Sequence, residues 1–479
     1  MAYLQTATVE IDHESFRDHL TILDEQGRRK WIYPRFQDGP WYRRRAVLAY
    51  VLLAALVAAP LIRIHGQPLF LFNILERTFI VWGIPFFPQD FFLFAFAMIT
   101  FMVFVIFFTS VWGRWWCGWA CPQTVFMEFV FRKLEYAIEG SAQQQRRLDA
   151  QPWNSYKIWR KTVKHVLFLL ISVFISSIFL SYIIGSDAVM QAWSHPADSA
   201  PLLLALVAFS LVFYGVFAWL REQVCIGVCP YGRLQGVLLD RNSRAVMYDF
   251  KRGEPRGKAG TTTGDCVDCH LCVAVCPTGI DIRNGTQLEC INCTACMDGC
   301  DSIMAKLGRA PGLIRHATLE QIETGRPFRI TPRMVAYGIL WTAMIGLLAF
   351  LLVVRPEVKT SLLRARGQLY QQLEDGTISN LYNLRLINKT FRNQMVELEV
   401  VAPREARLQV IGAPLRLEPG QTTEGALLVF LPAGSIRHNH TPLHLAVRAN
   451  GKIVDQVRTS FMAPMPPTST LTLPRQTSP

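Results

Sequence analysis

Eight of the twelve cysteines fall between Cys266 and Cys300, in two runs of matching spacing. The first is Cys266-x2-Cys269-x2-Cys272-x3-Cys276, followed by Pro277; the second is Cys290-x2-Cys293-x2-Cys296-x3-Cys300, followed by Asp301. A tight loop with two residues between ligands can wrap three corners of an iron–sulfur cube, and the fourth thiolate must come from further off. In a two-run pattern it comes from the other run. Cys266, Cys269, Cys272 and Cys300 are therefore expected to hold one [4Fe–4S] cluster, and Cys290, Cys293, Cys296 and Cys276 a second. Zinc also takes four cysteines, but two consecutive runs with the same gaps are hard to obtain from a zinc ribbon. The second run lacks the proline after its last cysteine, which bears on loop geometry and not on ligation.

The spacing is that of bacterial two-cluster ferredoxins, yet the rest of the chain is not that of a small soluble carrier. Half of the 479 residues are hydrophobic. Five apolar stretches read as membrane spans: Ala46 to about Ile64, then about Phe91–Val111, Val163–Ile184, Pro201–Leu220 and Met334–Val354. Each is about long enough to cross hydrocarbon as a helix. The first begins too deep in the chain for a signal peptide, and further spans follow it. The net charge of +13 would suit nucleic acid, but the basic residues gather beside the spans, so no nucleic-acid partner is expected. Arg43, Arg44 and Arg45 precede the first span, and loop 112–162 carries Arg114, Arg132, Lys133, Arg146, Arg147, Lys157, Arg160 and Lys161. Only Arg77 lies between the first two spans, and no Lys or Arg lies in 185–200. By the positive-inside rule the N-terminus, loop 112–162 and the cysteine runs are cytoplasmic. The region after the fifth span is then outside, although Arg355 and Lys359 sit against the rule.

The expected organisation is a multi-domain membrane protein. An N-terminal cytoplasmic segment (1–45) leads to four transmembrane helices (46–240) and a cytoplasmic 2[4Fe–4S] ferredoxin-like domain with its linker (241–333). A fifth transmembrane helix (334–354) leads to a periplasmic domain (355–479). That last region has short alternating runs at Leu381–Ile387, Met395–Val401, Arg407–Ile411, Ala426–Leu431, Leu443–Val447 and Ile453–Thr459. Turn signals such as Pro419-Gly420 and Asn450-Gly451 separate them, which suggests an immunoglobulin-like β-sandwich. It has no cysteine, so it would lack an inter-sheet disulfide. The stretch beyond Met465 is rich in Pro, Ser and Thr and is expected to be disordered.

On this topology all twelve cysteines face the reducing side, where thiols serve as ligands or redox groups and not as staples. The remaining four form two copies of one motif, Cys117-x3-Cys121-Pro122 after the second span and Cys225-x3-Cys229-Pro230 after the fourth. Trp112 and Arg114 lead into one copy, and Trp219 and Arg221 into the other. Proline suits the first turn of a new helix. If the motif itself is helical, the spacing places both sulfurs on one face. Two such pairs brought together would make a four-thiolate site for a soft ion such as Cu(I), or for a third cluster; a dithiol–disulfide couple is a further option. Small buried cysteines also simply pack near helix ends, but two copies with the same following proline argue for chemistry.

Other candidates are weaker. His165, at the start of the third span, lies within reach of the interface, so snorkelling accounts for it. His65 and Glu76 read as solvated loop residues. His438, His440 and His444 form an outer-domain cluster that reads as incidental. Asn388-Lys389-Thr390 matches a glycosylation acceptor. No phosphate-binding glycine loop and no serine or cysteine hydrolase signature is present.

The ensemble resembles the FixG/RdxA/CcoG family, bacterial membrane polyferredoxins that are accessory proteins of cbb3-type cytochrome c oxidase. The resemblance is carried by Tyr33-Pro34, Trp115-Trp116-Cys117-Gly118-Trp119-Ala120-Cys121-Pro122, Cys225-Ile226-Gly227-Val228-Cys229-Pro230, both ferredoxin runs, the fifth span and the immunoglobulin-like tail. It implies a bacterial inner-membrane protein that reduces Cu(II) to Cu(I) for the oxidase's copper–haem centre. Copper would sit at Cys117, Cys121, Cys225 and Cys229, the electron would come from the eight cysteines at 266–300, and the partners would be oxidase assembly and copper-delivery proteins. The Cys-x3-Cys-Pro motif is also similar to those of quinol-linked membrane ferredoxins. An electron conduit between the quinone pool and a partner redox protein is therefore the second expectation, with a cytoplasmic or quinol donor. A non-redox assembly scaffold is the third.

Overall fold

The computed structural model describes residues 28–464, apart from 65, 75–77, 87–89, 259–263, 366, 368, 391, 412–414, 419–420, 437 and 450. His65, Glu76, Arg77, the Pro419-Gly420 turn, Asn450 and everything from Met465 onward lie outside the described residues. The chain divides into two compact units, one built from 1–62 and 94–348, the other from 63–93 and 349–479.

In the first unit, helix α1 (Pro40–Ala58) begins with proline at its first turn, where the missing N–H costs nothing. α2 (Phe91–Trp112) is apolar on every face. Two short helices follow, α3 (Trp115–Trp119) and α4 (Pro122–Phe126), and a π-helical turn at Met127–Phe131 leads into α5 (Arg132–Glu139) and α6 (Ala142–Ala150). α7 (Ser155–Ile184) starts at Asn154, whose side chain accepts the Lys157 backbone N–H. α8 (Ser186–Ser194) turns the chain into α9 (Ala200–Gly215), which continues as a π-helical turn to Leu220. A further π turn at Val224–Val228 precedes α10 (Pro230–Leu238).

Four helical stretches are long and apolar enough to cross a membrane: Phe91–Trp112, Ser155–Ile184, Ala200–Leu220 and Pro332–Val353. They match four of the five expected spans. The first expected span differs. α1 stops at Ala58 and not near Ile64, and its first turns carry Arg43, Arg44 and Arg45. That leaves 46–58 as the apolar part, about 20 Å of helix, against a hydrocarbon core of about 30 Å. Pro60 and the two-residue strand Arg63–Ile64 take up the residues that make the run look longer.

The cysteine runs are framed by an antiparallel pair of strands, Ala245–Tyr248 with Ile314–Ala317. Between them lie α11 (Phe250–Gly253), α12 (Leu271–Ala274) and α13 (Ala295–Lys306); α14 (Leu319–Thr324) and the apolar α15 (Pro332–Val353) follow. Val246, Tyr248, Ile280, Ile282, Met297, Met304, Leu313 and Ile314 form the buried core of this region together with Cys266, Cys272 and Cys276. Its cysteines are thus part of the hydrophobic centre and not a surface decoration. The segment before α1 is tied to the same core. Asp298 of α13 accepts the backbone N–H groups of Trp41 (3.1 Å) and Tyr42 (2.8 Å). A carboxylate there satisfies two of the orphan donors of the α1 N-terminus and complements its dipole. A Cβ on Gly39 would fall 2.3 Å from Asp298 Cγ, so only glycine lets the carboxylate come this close. Arg35 N also donates to Ala274 O (2.7 Å).

The second unit is a two-sheet sandwich. One sheet orders strands Arg407–Ile411, Thr422–Pro432, Thr377–Asn388 and Val358–Arg364, with the short Gln371–Gln372 also on Thr377–Asn388. The other orders Leu415–Leu417, Gln394–Ala402, His440–Ala449 and Lys452–Met462. Tyr382, Leu384 and Leu386 point inward while Leu381, Asn383 and Arg385 are exposed, the period-2 alternation of a half-buried strand. All six expected strands are present, each covering its apolar run. The unit also takes in Phe70–Asn73, Thr78–Val81 and Ile84–Phe86, a three-stranded sheet from the segment before α2. There Asp90 is buried and pairs with Arg355 (2.6 Å) and with Lys389. Asn388 is fully buried, and its amide nitrogen donates to the carbonyls of Arg392, Leu417 and Glu418. It therefore offers no glycosylation site. His440 and His444 share a strand, four residues and about 13 Å apart, and His440 hydrogen-bonds Ser460.

Candidate redox site

Two apolar cavities lie inside the ferredoxin-type region. One is lined by Cys276, Cys290, Cys293 and Cys296, with Val246, Ile280, Ile282 and Ile291. The other is lined by Cys266, Cys269 and Cys300, with Tyr248, His270, Met304 and Leu313. Cys272 borders both. Cys276, from the first run, thus faces the three leading cysteines of the second run, and Cys300 faces those of the first. The donor sets and the apolar walls fit two [4Fe–4S] groups. All twelve cysteines are unpaired.

The two runs are folded the same way. Asp268 and His270 flank Cys269 with φ of 54° and 53°; Asn292 and Thr294 flank Cys293 with 55° and 63°. Left-handed backbone on both sides of the second cysteine curls each loop around its cavity, and the left-handed residue after it starts α12 or α13. For Asp and Asn this costs little. For the β-branched Thr294 it is strained, as at many functional sites. The surroundings differ, however. Cys269 and His270 are exposed, and Arg283 joins Asp281 (2.6 Å) and Asp268 at that surface. Cys276 and Cys293 are buried and Cys290 and Cys296 half-buried, none of them exposed, and burial pushes Cys290 up to about 12 and Cys293 up to about 11.

The two Cys-x3-Cys-Pro motifs lie at the ends of apolar helices. Cys117 is in α3 and Cys225 in the π turn Val224–Val228, while Cys121 and Cys229 are extended residues just before α4 and α10. Pro122 and Pro230 occupy the first helical position, as expected. The expected single helical face does not form. Proline disfavours helical backbone in the residue before it, so each motif is helix, break, helix, with its first cysteine in the leading helical turn and its second at the break. The four thiols act on one another electrostatically. Burial, then Cys121 and Cys229, push Cys117 up to about 12; burial, then Cys121, Cys117 and Cys229, do the same to Cys225. Arg114 pulls both the other way. Cys117 Sγ also donates to Gln235 Oε1 (3.1 Å). Among the described residues no three His, Cys, Asp or Glu side chains are drawn tightly enough to hold a metal ion as they stand.

Several residues that organise this site carry no motif. Arg114 hydrogen-bonds the carbonyls of Gly232 and Leu288. A Cβ on Gly118 would come within 2.5 Å of Ile291 O, so α3 lies directly on the second cysteine run. Arg45 Nε donates to Gly118 O (3.1 Å). Around α5 a buried ion network collects Arg132, Glu135, Glu139, Lys164 and Arg221. His165 hydrogen-bonds Tyr214 (2.8 Å) and joins no other candidate among the described residues.

Comparison with known proteins gives three family matches: a 4Fe-4S dicluster domain over 220–319, a 4Fe-4S binding domain over 94–138, and the Ig-like fold at the C-terminus of FixG over 348–464. The nitrogen fixation protein FixG of Rhizobium meliloti is 33% identical over 85% of this chain and 87% of its own length. Protein RdxA of Cereibacter sphaeroides is 34% identical over 84% and 89%, and RdxB of the same organism 32% over 81% and 85%.

Proposed function

The chain belongs to the FixG family of membrane-associated 4Fe-4S electron-transfer proteins, and from that premise we propose that it reduces Cu(II) to Cu(I) in assembly of a cbb3-type oxidase. The observation that carries this reading is that Cys117, Cys121, Cys225 and Cys229 act on one another electrostatically while Gly118, inside the first motif, packs on Ile291 O of the second cysteine run, whose Cys290, Cys293 and Cys296 line a cavity with Cys276. The chain would cross a bacterial inner membrane several times, with both cysteine runs cytoplasmic and the β-sandwich periplasmic. Cys266, Cys269, Cys272 and Cys300 would hold one cluster, and Cys276, Cys290, Cys293 and Cys296 the other. When bound, these groups supply single electrons at potentials that reach several hundred millivolts below zero.

Cys117, Cys121, Cys225 and Cys229 bind the copper substrate as thiolates. Burial holds the Cys117 and Cys225 thiols protonated, and the incoming cation adds to Arg114 in pulling them the other way. With the clusters bound, Cu(II) held by these thiols would take up one electron, and no proton would be needed for that change. Soft thiolates hold the product ion better than the substrate ion. A low-potential soluble carrier would restore the electron at the exposed Cys269 face. Replacing Cys225 and Cys229 together with serine is expected to abolish copper binding while iron content and cluster absorbance stay at the wild-type level. Copper binding that survives loss of all four thiols would overturn the assignment.

A second reading has its own observation. Phe101, Phe104, Val105, Phe108, Trp116 and Tyr231 line an apolar groove next to both motifs, and Tyr231 is its one phenol. A quinol ring fits that chemistry, and the protein would then carry electrons between the quinone pool and a partner. A quinol analogue should reduce the clusters in purified protein at a rate that falls on Tyr231→Phe; no reduction would remove this reading.

A further inference from the structure

We propose that Arg114 is the positioning residue that couples the second-run cluster site to the copper-binding thiols, so that electrons reach those thiols through that site and not through the first. The proposal rests on the redox reading above and assigns its route.

Arg114 leaves the turn between α2 and α3 and is buried to 6% exposure. One terminal nitrogen donates to Leu288 O and, at 3.4 Å, lies on Cys290 O; the other donates to Gly232 O in α10. A single side chain thus joins three pieces of chain. These are its own motif, which begins three residues on at Cys117, the helix that follows Cys229-Pro230, and the loop that delivers Cys290. The contact at Gly118 presses two of these three, the first motif and the second cysteine run, together, since a Cβ there would lie 2.5 Å from Ile291 O and 2.7 Å from Asn292 O. The first-run cavity has no such connection among the described residues. Cys290 and Ile291, which Arg114 and Gly118 reach, line the second-run cavity and not the first, whose exposed edge is Cys269, His270 and the Asp268–Arg283 pair.

Two consequences follow from elementary electrostatics. A fixed buried cation favours the more negative state of whatever redox group it faces, so Arg114 raises the potential of the second-run site. Its carbonyl bonds also hold the gap between donor and acceptor short, and electron transfer slows steeply with distance. Lysine could keep the charge but not the fork that spans Gly232, Leu288 and Cys290.

The test uses full-length protein in detergent with both clusters in place. Arg114→Gln should lower the midpoint potential of one cluster only in an EPR-monitored redox titration. It should also slow single-turnover Cu(II) reduction by the dithionite-reduced protein about tenfold or more. Arg114→Lys should restore the potential but not the rate. In a Cys276→Ser background, where the second-run cluster is removed, Arg114→Gln should shift nothing. Unchanged potentials in Arg114→Gln, or equal shifts in both clusters, would overturn the proposal. If Arg114→Gln fails to retain iron, the lysine variant decides: a wild-type rate overturns the proposal, and a slowed rate at wild-type potential supports it. Wild-type protein that does not reduce Cu(II) at all would sink the copper reading, while the potential shift still tests Arg114.

Discussion

Replacement of Cys276 with serine is expected to strip the protein of about four of its roughly eight irons and to remove the cluster of the second run, not the first. Sequence proximity argues the opposite, since Cys276 follows Cys266, Cys269 and Cys272 directly. The cavity linings argue the other way. Cys276 lines the space shared with Cys290, Cys293 and Cys296, whereas Cys300 lines the one shared with Cys266 and Cys269. Thr278 lies 3.3 Å from Cys276 Sγ inside the core, so a serine there stays buried without becoming an equivalent soft ligand. Cys300→Ser should do the reverse and spare the enclosed cluster. The two variants are told apart by copper. A protein that keeps only the exposed first cluster should bind Cu(II) but not reduce it in one turnover. A protein that keeps only the enclosed one should reduce it once. Iron analysis with EPR on anaerobic preparations measures the outcome. If both variants lose the same cluster, or if Cys276→Ser keeps its full iron content, the exchange of fourth ligands is wrong.

What is legible in the sequence shares one property: the signal is local and periodic. The two cysteine runs, the four apolar helices and the six strands of the sandwich each announce themselves within a short window of chain. What stays hidden depends on a partner far along the chain. Asp298 serves the start of α1 from 257 residues further along the chain, and nothing near either residue says so. Arg114 reads as one more basic residue of a positive loop, yet its partners are carbonyls of Gly232 and Leu288, and backbone acceptors leave no mark in a sequence. The strand Val358–Arg364 escapes notice because it follows the last apolar helix so closely that it reads as a linker. The segment 63–93 groups with the C-terminal β-unit, a pairing that loop composition does not encode. The Cys-x3-Cys-Pro motifs are plain in the sequence, but their shape is not. The proline that marks them also breaks the helix that would have aligned their sulfurs.

The charges of loop 112–162 hide more than a count reveals, and they give the prediction with the largest energetic effect. As a count they mark the side of a membrane. In the fold Arg132 of that loop is buried and answered by acids, as are Lys164 and Arg221 beyond it. Arg132 pairs with Glu128 (2.6 Å) and Glu222; Lys164 with Glu139 (2.8 Å) and Glu135 (3.6 Å); Arg221 with Glu135 (2.5 Å). Arg221 also stacks on Trp31 at 4.8 Å and stands four residues before Cys225. Glu135 is the hinge of this network, because among the described residues it alone forms an ion pair with Arg221. Glu135→Ala leaves the Arg221 guanidinium buried without a counter-charge, a change of about 3–5 kcal/mol in proteins whose whole stability is about 5–15 kcal/mol. The effect should appear first at the second Cys-x3-Cys-Pro motif, as lost copper binding and faster alkylation of Cys225, with both clusters still in place at low temperature. The same carboxylate sets an acid limit. Burial pushes its pKa up, but Arg221, Lys164 and Arg132 pull it down further, so the folded value lies below the ordinary 4.5. A depressed acid stabilises the fold above its unfolded value and loses that stabilisation as pH falls through the folded one. Wild-type protein should therefore lose thermal stability steeply below about pH 4.5, and Glu135→Gln, with nothing left to protonate, should start lower and fall less. A Glu135→Ala protein as stable as wild type, or a glutamine variant with the same acid limb, would show that Arg221 is held by something other than this carboxylate.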